Sequence, residues 1–367
     1  MKPKTRLLCG ELAQLVQQPL AMLTSYTPPP FEAALLLTRR CNSRCTMCDH
    51  WQRNGSSDEL STGEVIDSLD GLKALGTPVL SLSGEGEITL RADAPAIMRA
   101  CAERGFLFSL NSNLLHLPAP FAQAVAQSAP YQLTVGMDTA DAVRYGAIRG
   151  IEDGFERVQR SIDALHSHGY ENIVVGTVIM DSNLDDLMGL VEFVRARGLK
   201  GIRFTAFQPS GFGKRWEPQE LERYRSSEYL DHLHTTIEAI IAAKKGGTPI
   251  LNSVPYLRMV SEHYAQPGFF PIPCHIPWRR LHIHPDGRVS LCVVMEEGGV
   301  IGSLRQNSLE QLWHGAKAEA LRAQVRAKGC GGCWLSCYSE TNIRLSARYA
   351  LGGLANAAQR FLSLGQK

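Results

Sequence analysis

Between residues 31 and 245 six apolar, strand-like runs alternate strictly with helix-like stretches, and that alternation leaves few folds open. The runs fall at 31–38, 78–83, 106–111, 131–138, 172–180 and 201–207, the helical stretches at 63–76, 92–104, 119–128, 154–168, 184–197 and 226–245. Neighbouring parallel strands need a long crossover, and a helix supplies it with right-handed geometry. The runs read as apolar throughout, as in strands covered on both faces. Six such units predict an α/β fold, a partial (β/α)6 TIM-like barrel with its working loops at the C-terminal ends of the strands. A length of 367 residues leaves room for a smaller second unit.

The loops carry the chemistry. Directly after the first run, "RRCNSRCTMCDHW" places Cys41, Cys45 and Cys48 within eight residues. Thiolates suit zinc or iron–sulfur clusters, which normally take four ligands, so three leave one metal position open. The alternative is a zinc knuckle completed by His50. The chain holds ten cysteines, and its first residues, "MKPKTRLLCGELAQLVQQPL", lack the apolar core of a signal peptide. In a reducing compartment such cysteines are ligands or nucleophiles more readily than disulfides. Cys9 and Cys101 stand apart and read as structural.

A second group follows a stretch, 246–273, that carries five prolines and reads as a linker. Cys274 precedes "WRRLHIHPDGRVSLCVVM", two short strands joined by a Pro-Asp-Gly turn with Cys292 on the second. An amphipathic helix over 308–329, with Ser308 as cap and Gly329 at its end, leads into "CGGCWLSC", which holds Cys330, Cys333 and Cys337. A structural zinc ribbon is the plain alternative for this group. His275, His282 and His284 flank the hairpin as further metal-binding candidates or as a packed face, and Lys214 and Arg215 follow the last barrel strand. With 38 basic and 36 acidic side chains the net charge is +2, so no nucleic-acid partner is implied, and no apolar span long enough for a membrane occurs. A soluble, cytoplasmic protein is expected.

The spacing of Cys41, Cys45 and Cys48 after the first strand of a six-unit barrel resembles the radical S-adenosylmethionine superfamily. In that family a 4Fe-4S cluster on three cysteines binds S-adenosyl-L-methionine at its open iron and cleaves it to a 5′-deoxyadenosyl radical. Later turns carry the same resemblance. "SGEGEITL" is similar to the glycine-rich turn whose glutamate receives the methionine ammonium, here Glu87 after Gly84 and Gly86. "LNSNLL" places Asn111 at the family's asparagine, and "GMDTADAVRYGAIRG" places Arg149 where an arginine approaches the cofactor carboxylate. The chain departs from the pattern at Met47, where an aromatic is usual, and at Gly136, where many relatives have serine.

Cys274, Gly287 and Cys292 resemble the SPASM and twitch accessory domains. Their likeness implies one auxiliary 4Fe-4S cluster on Cys274, Cys292, Cys330 and Cys333. It leaves Cys337 as an alternative ligand, a hydrogen donor or a buried side chain. The organisation so implied is an N-terminal extension at 1–30, the barrel at 31–245, the linker at 246–273, the auxiliary domain at 274–345 and a C-terminal helix at 346–367. The expected activity is an oxidoreductase, a dehydrogenase or epimerase acting on a sugar-like or aminocyclitol-like metabolite, with a peptide-modifying maturase as the alternative within the family. A non-catalytic iron–sulfur or zinc protein is the alternative outside it. Flavodoxin or ferredoxin would be the electron donor.

Overall fold

The computed structural model describes residues 3–53, 58–208, 221–266, 269–330 and 332–346. After helix α1 (Pro3–Leu23) come β1 (Glu32–Leu36), α2 (Thr62–Ala74), β2 (Val79–Ser83), α3 (Ala94–Glu103), β3 (Leu107–Ser112), α4 (Ala119–Ser128) and β4 (Gln132–Gly136). Helices α5 (Ala142–Arg149) and α6 (Gly154–Ser167) lead to β5 (Ile173–Ile179), α7 (Leu187–Ala196), β6 (Gly201–Ala206), α8 (Ser227–Lys245) and α9 (Val254–Ala265). The remainder is β7 (Arg280–Ile283), β8 (Arg288–Ser290), β9 (Val300–Ser303), α10 (Leu309–Trp313), α11 (Ala316–Lys328) and α12 (Ser336–Leu345).

One sheet of order β6-β5-β4-β3-β2-β1-β7-β8-β9 runs through the described residues. Its first six strands are parallel neighbours and form the open barrel. Strand β7 adds to β1 in parallel, and β8 and β9 continue antiparallel, so the cysteine-bearing hairpin extends the barrel's own sheet.

Strand β4 alternates in burial throughout and β5 and β6 in their C-terminal halves, where the expectation was uniformly apolar strands, whereas β1 and β2 are buried almost throughout. The outer residues of the barrel strands, among them Leu35, Leu80, Leu82, Phe108, Leu110, Leu133, Val135, Val175, Ile202 and Phe204, are wholly buried beneath the helices. The inner side includes the small or polar Ser81, Ser109, Asn111, Gln132, Thr134, Gly136, Gly176, Arg203 and Thr205, with Leu36, Val174 and Val178 in the same register. Serine and threonine are compatible with strand geometry, so apolar runs interrupted by them still pair as strands while one face stays wet.

Two further expectations change in detail. The supposed linker is helical at α9, because Ser253 caps it and Pro255 sits in its first turn, where a missing N–H costs nothing. Its Tyr256 and Tyr264 hydroxyls accept the Ala206 and Phe207 N–H groups at 3.1 and 2.8 Å, and Asn252 bonds both backbone groups of Phe204, so this segment closes the free edge of β6. The helix expected over 308–329 is two, α10 and α11, broken at His314 and Gly315. Lys214, Arg215 and the helix expected at 346–367, except Ser346, lie outside the described residues.

Candidate active site and thiol groups

The three-thiol loop hangs from the C-terminal end of β1, and its conformation is fixed mainly by α5. That helix leaves its last carbonyls without intrahelical partners. The loop satisfies them: Thr46 N–H donates to Ile148 at 2.9 Å, and Arg44 N–H and the Ser43 hydroxyl donate to Arg149 at 3.1 and 2.7 Å. Gly150 ends α5 at φ +69°, and a Cβ there would stand 2.9 Å from the Arg44 carbonyl, so both conformation and space demand glycine. Helix α5 was absent from the reading of the sequence, although Asp141, which caps it by accepting Arg144 N–H at 2.8 Å, and Gly150 are its start and stop signals.

Each of the three sulfurs faces a donor. Cys41 accepts the Ser43 N–H, Cys48 accepts the His50 N–H, and Cys45 lies 3.0 Å from the Ser43 hydroxyl and 3.8 Å from Arg149 Nη1. Burial raises the Cys41 thiol and pushes Cys48 to about 11, so without a metal both are held protonated. A bound cation reverses that preference, since a coordinating thiol is deprotonated outright. Polarised thiolates with N–H donors are the surroundings an iron–sulfur cluster uses to tune itself, and the donor set fits one.

The glycine turn after β2 packs directly on this loop. Gly86 and Glu87 N–H groups donate to the Thr38 and Arg40 carbonyls at 3.0 and 2.7 Å. A Cβ on Gly86 would lie 2.1 Å from the Arg40 carbonyl, so this glycine lets two backbones touch each other. Glu87 is buried. Its carboxylate accepts from Thr89 N–H at 3.0 Å, the Ser112 hydroxyl at 2.6 Å and Asn113 N–H at 2.6 Å, tying the turns after β2 and β3 together. Burial nevertheless raises its pKa. Asn111 faces the barrel interior and donates to Ser81 Oγ at 3.2 Å.

Arg149 lies against Gly136, where a Cβ would come 3.0 and 3.1 Å from its two terminal nitrogens. The guanidinium fills the space a serine side chain would need, which accounts for the glycine. Its partner is Asp138, 2.6 Å away and buried. Burial works against the charge on Arg149, but Asp138 and then Cys45 outweigh it and raise its pKa.

In the C-terminal group four sulfurs share one feature. Cys274, Cys292, Cys330 and Cys333 each accept the N–H of the residue two positions on, Ile276, Val294, Gly332 and Leu335. Cys274 and Cys330 are hydrogen-bonded to each other, which raises the first and lowers the second. Cys333 lies within electrostatic reach of Cys292, Cys337 and Cys330 and packs with Ile276 and Tyr338. Cys337 differs in detail: the backbone N–H at its sulfur is its own, burial of the sulfur raises its thiol although the residue keeps accessible surface, and its charged neighbours are Arg280, Glu32 and Arg203. His282 accepts the Tyr338 hydroxyl at 2.7 Å, and His284 is engaged with Glu85 and Ser290, so these two belong to the packed face.

An open parallel barrel with three polarised thiols at its mouth and a second thiol group on an extension of the same sheet defines a cluster-dependent enzyme class. Residues 35–194 match the model of the radical SAM superfamily, and residues 274–337 match that of an iron–sulfur cluster-binding domain, SPASM. The chain belongs to the radical SAM superfamily and carries a C-terminal SPASM domain. It binds 4Fe-4S clusters and S-adenosyl-L-methionine. An AdoMet-dependent heme synthase of Methanosarcina barkeri is 23% identical over 345 residues, 87% of this chain and 95% of the relative. A GTP 3′,8-cyclase of Pectobacterium atrosepticum is 32% identical over 186 residues, 49% of this chain, and the match spans 55% of that enzyme's length. Among solved structures, Streptococcus suis SuiB bound to S-adenosylmethionine superposes with a TM-score of 0.61 at 14% identity, over 88% of this chain and 72% of SuiB. The anSMEcpe protein with bound AdoMet gives 0.61 at 14%, over 89% and 99%. No helix among the described residues is long and apolar enough to cross a membrane.

Proposed function

We propose that the protein removes a hydrogen atom from a small, polar, sugar-like or aminocyclitol-like metabolite held inside the barrel, and oxidises or epimerises it. The inner wall carries this reading. Ser81, Ser109, Asn111, Gln132, Thr134 and Thr205 turn hydroxyls and amides inward, and Asn111 is exposed although β3 has paired strands on both sides. Such groups match a ligand rich in hydroxyls better than an apolar one.

Cys41, Cys45 and Cys48 would hold the first cluster, which would supply the electron for reductive cleavage of S-adenosyl-L-methionine. The chain's own residues prepare the site. Gly84, Gly86 and Glu87 shape the turn assigned to the methionine ammonium, Asn111 faces the ligand space, and Arg149, steadied by Asp138, is assigned to the carboxylate. Cys274, Cys292, Cys330 and Cys333 are assigned as ligands of the auxiliary cluster, a choice supported by their common onward N–H donors. Cys337, accessible and without that donor, is assigned as the thiol that returns a hydrogen atom to the substrate. A flavodoxin or ferredoxin as electron donor and a cytoplasmic setting complete the proposal.

A peptide substrate is the second reading, favoured by the likeness to SuiB bound to its precursor peptide SuiA, with a TM-score of 0.65 at 13% identity. Anaerobic incubation with reductant, S-adenosylmethionine and either polyhydroxylated metabolites or peptides separates the two. The first reading expects 5′-deoxyadenosine to rise with a metabolite and to carry deuterium from a labelled one. A rise with peptides alone would replace it by the second.

A further inference from the structure

A line of buried charge joins the β2 turn to the hairpin that carries Cys292. Glu85, between Gly84 and Gly86, lies 2.6 Å through Oε1 from His284 Nδ1, and its other oxygen accepts from Arg39 Nε at 3.1 Å. Arg39 continues to Asp286 in the hairpin turn at 2.6 Å, and Asp286 accepts from Arg288 Nε at 2.8 Å. The second nitrogen of His284 is 2.8 Å from the Ser290 hydroxyl, two residues before Cys292. The side chains of Glu85, His284, Arg39 and Asp286 are 6, 12, 13 and 14% exposed, so solvent screens them little. The network therefore holds three things in register: Arg39, two residues before the first thiol, the glycine turn, and the hairpin.

We propose that Glu85 and His284, with Arg39 and Asp286, are positioning residues that couple S-adenosylmethionine binding at the β2 turn to the seating of the Cys292 hairpin. The proposal rests on the assignment of that turn to the cofactor given above. Two sites joined through one rigid element influence each other reciprocally, so what loosens the hairpin also loosens the turn. Glu85 is well suited to transmit this. It sits between two glycines, neither of which has room for a side chain, so the turn has little freedom to move except with its carboxylate.

The test uses the anaerobically reconstituted holoenzyme, with iron content, equilibrium binding of S-adenosylmethionine, and the paramagnetic spectrum of the reduced protein with and without it. Glu85→Gln and His284→Gln are expected to keep the parent's iron yet bind the cofactor about five- to ten-fold more weakly, with a reduced spectral response. Both break the same bridge, so the double variant should bind no worse than the weaker single one. Cys292→Ala should weaken binding similarly, and adding His284→Gln to it should change nothing further. Binding within about two-fold of the parent in both single variants, or losses that multiply in the double, would overturn the coupling. Iron lost from both clusters with unchanged affinity in the folded fraction would mean a brace only, which also overturns it. If the parent binds S-adenosylmethionine but Glu87→Gln leaves that binding untouched, the turn itself is misassigned and the proposal falls with it.

Discussion

The two thiol groups are assembled in opposite ways. Cys41, Cys45 and Cys48 lie on one short loop whose shape is set by α5 carbonyls and by backbone contact with the β2 turn, none of which involves a sulfur. Cys274, Cys292, Cys330 and Cys333 come from the segment before a hairpin, the hairpin itself and the stretch after α11. Gathering ligands so far apart closes long loops, and the entropy of closure must be recovered from the bonds that the ligands make. The mouth loop is thus built to stand with or without its metal, while the C-terminal group depends on the metal for part of its stability.

The largest effect should come from the first group. Replacing Cys41, Cys45 and Cys48 together by alanine is expected to abolish formation of 5′-deoxyadenosine while the protein stays folded. It should retain about four of the about eight iron atoms that two four-iron clusters hold. Iron analysis and circular dichroism of the reconstituted protein check this. A triple variant that unfolds would break the contrast.

Second in size is the response of the C-terminal group. Alanine at Cys274, Cys292, Cys330 or Cys333 should lower iron content and thermal midpoint together, because the lost bond is also a cross-link between distant segments. Alanine at Cys337 should leave the iron unchanged, since its sulfur has Arg280, Glu32 and Arg203 as charged neighbours and takes its own N–H where the other four take one from two residues on. In that variant cofactor cleavage should persist while an epimerised product gives way to a dehydrogenated one, measurable by mass spectrometry. Iron loss at Cys337 with retention at Cys330 would exchange their roles.

Glu87→Gln is expected to be milder. A charge-assisted hydrogen bond to a buried carboxylate is worth about 1.5–3 kcal/mol, so cofactor binding should weaken about ten-fold, with both clusters intact. The same substitution places an amide opposite the Asn113 and Ser112 donors, so the turn after β3 should exchange its amide hydrogens faster. Unchanged cofactor affinity with faster exchange would leave Glu87 as a staple between the two turns and nothing more.

The six strands, the crossover helices and all seven proposed cluster ligands could be read from the sequence because they depend on local pattern: apolar runs, helix caps and cysteine spacing. What escaped depends on the third dimension. The wet inner wall was hidden because serine and threonine at alternate positions do not interrupt an apolar run. Helix α5 spans only Ala142–Arg149, too few residues for an apolar period to show, so its cap at Asp141 and stop at Gly150 are its only local signals. Gly86 could be recognised as constrained but not as touching Arg40, and Glu85 and His284, 199 positions apart, meet only because β7 docks beside β1. The likeness to accessory domains puts Cys333 among the ligands and leaves Cys337 over, although both lie in "CGGCWLSC"; what spacing does not show is that their sulfurs take different backbone donors, Leu335 for Cys333 and its own N–H for Cys337.

The smallest expected effect tests how firmly the mouth of the barrel is held. Gly136 leaves room for the Arg149 guanidinium, and a Cβ there would approach its terminal nitrogens to 3.0 and 3.1 Å, closer than side chains normally come. The guanidinium cannot simply swing away, because Asp138 holds it at 2.6 Å and both groups are buried. Gly136→Ala should therefore cost about 1 kcal/mol of stability, the low end for overpacking, and weaken cofactor binding about two- to three-fold through the displaced arginine. Thermal unfolding and equilibrium binding on the reconstituted enzyme read the two effects. Arg149→Lys removes the planar head that the methyl group would meet, so Gly136→Ala should cost less in that background than in the parent, a non-additivity expected only of groups in contact. Equal costs in the two backgrounds would mean that Arg149 has freedom to move, and that the α5 carbonyls and the β2 turn hold the mouth loop without it.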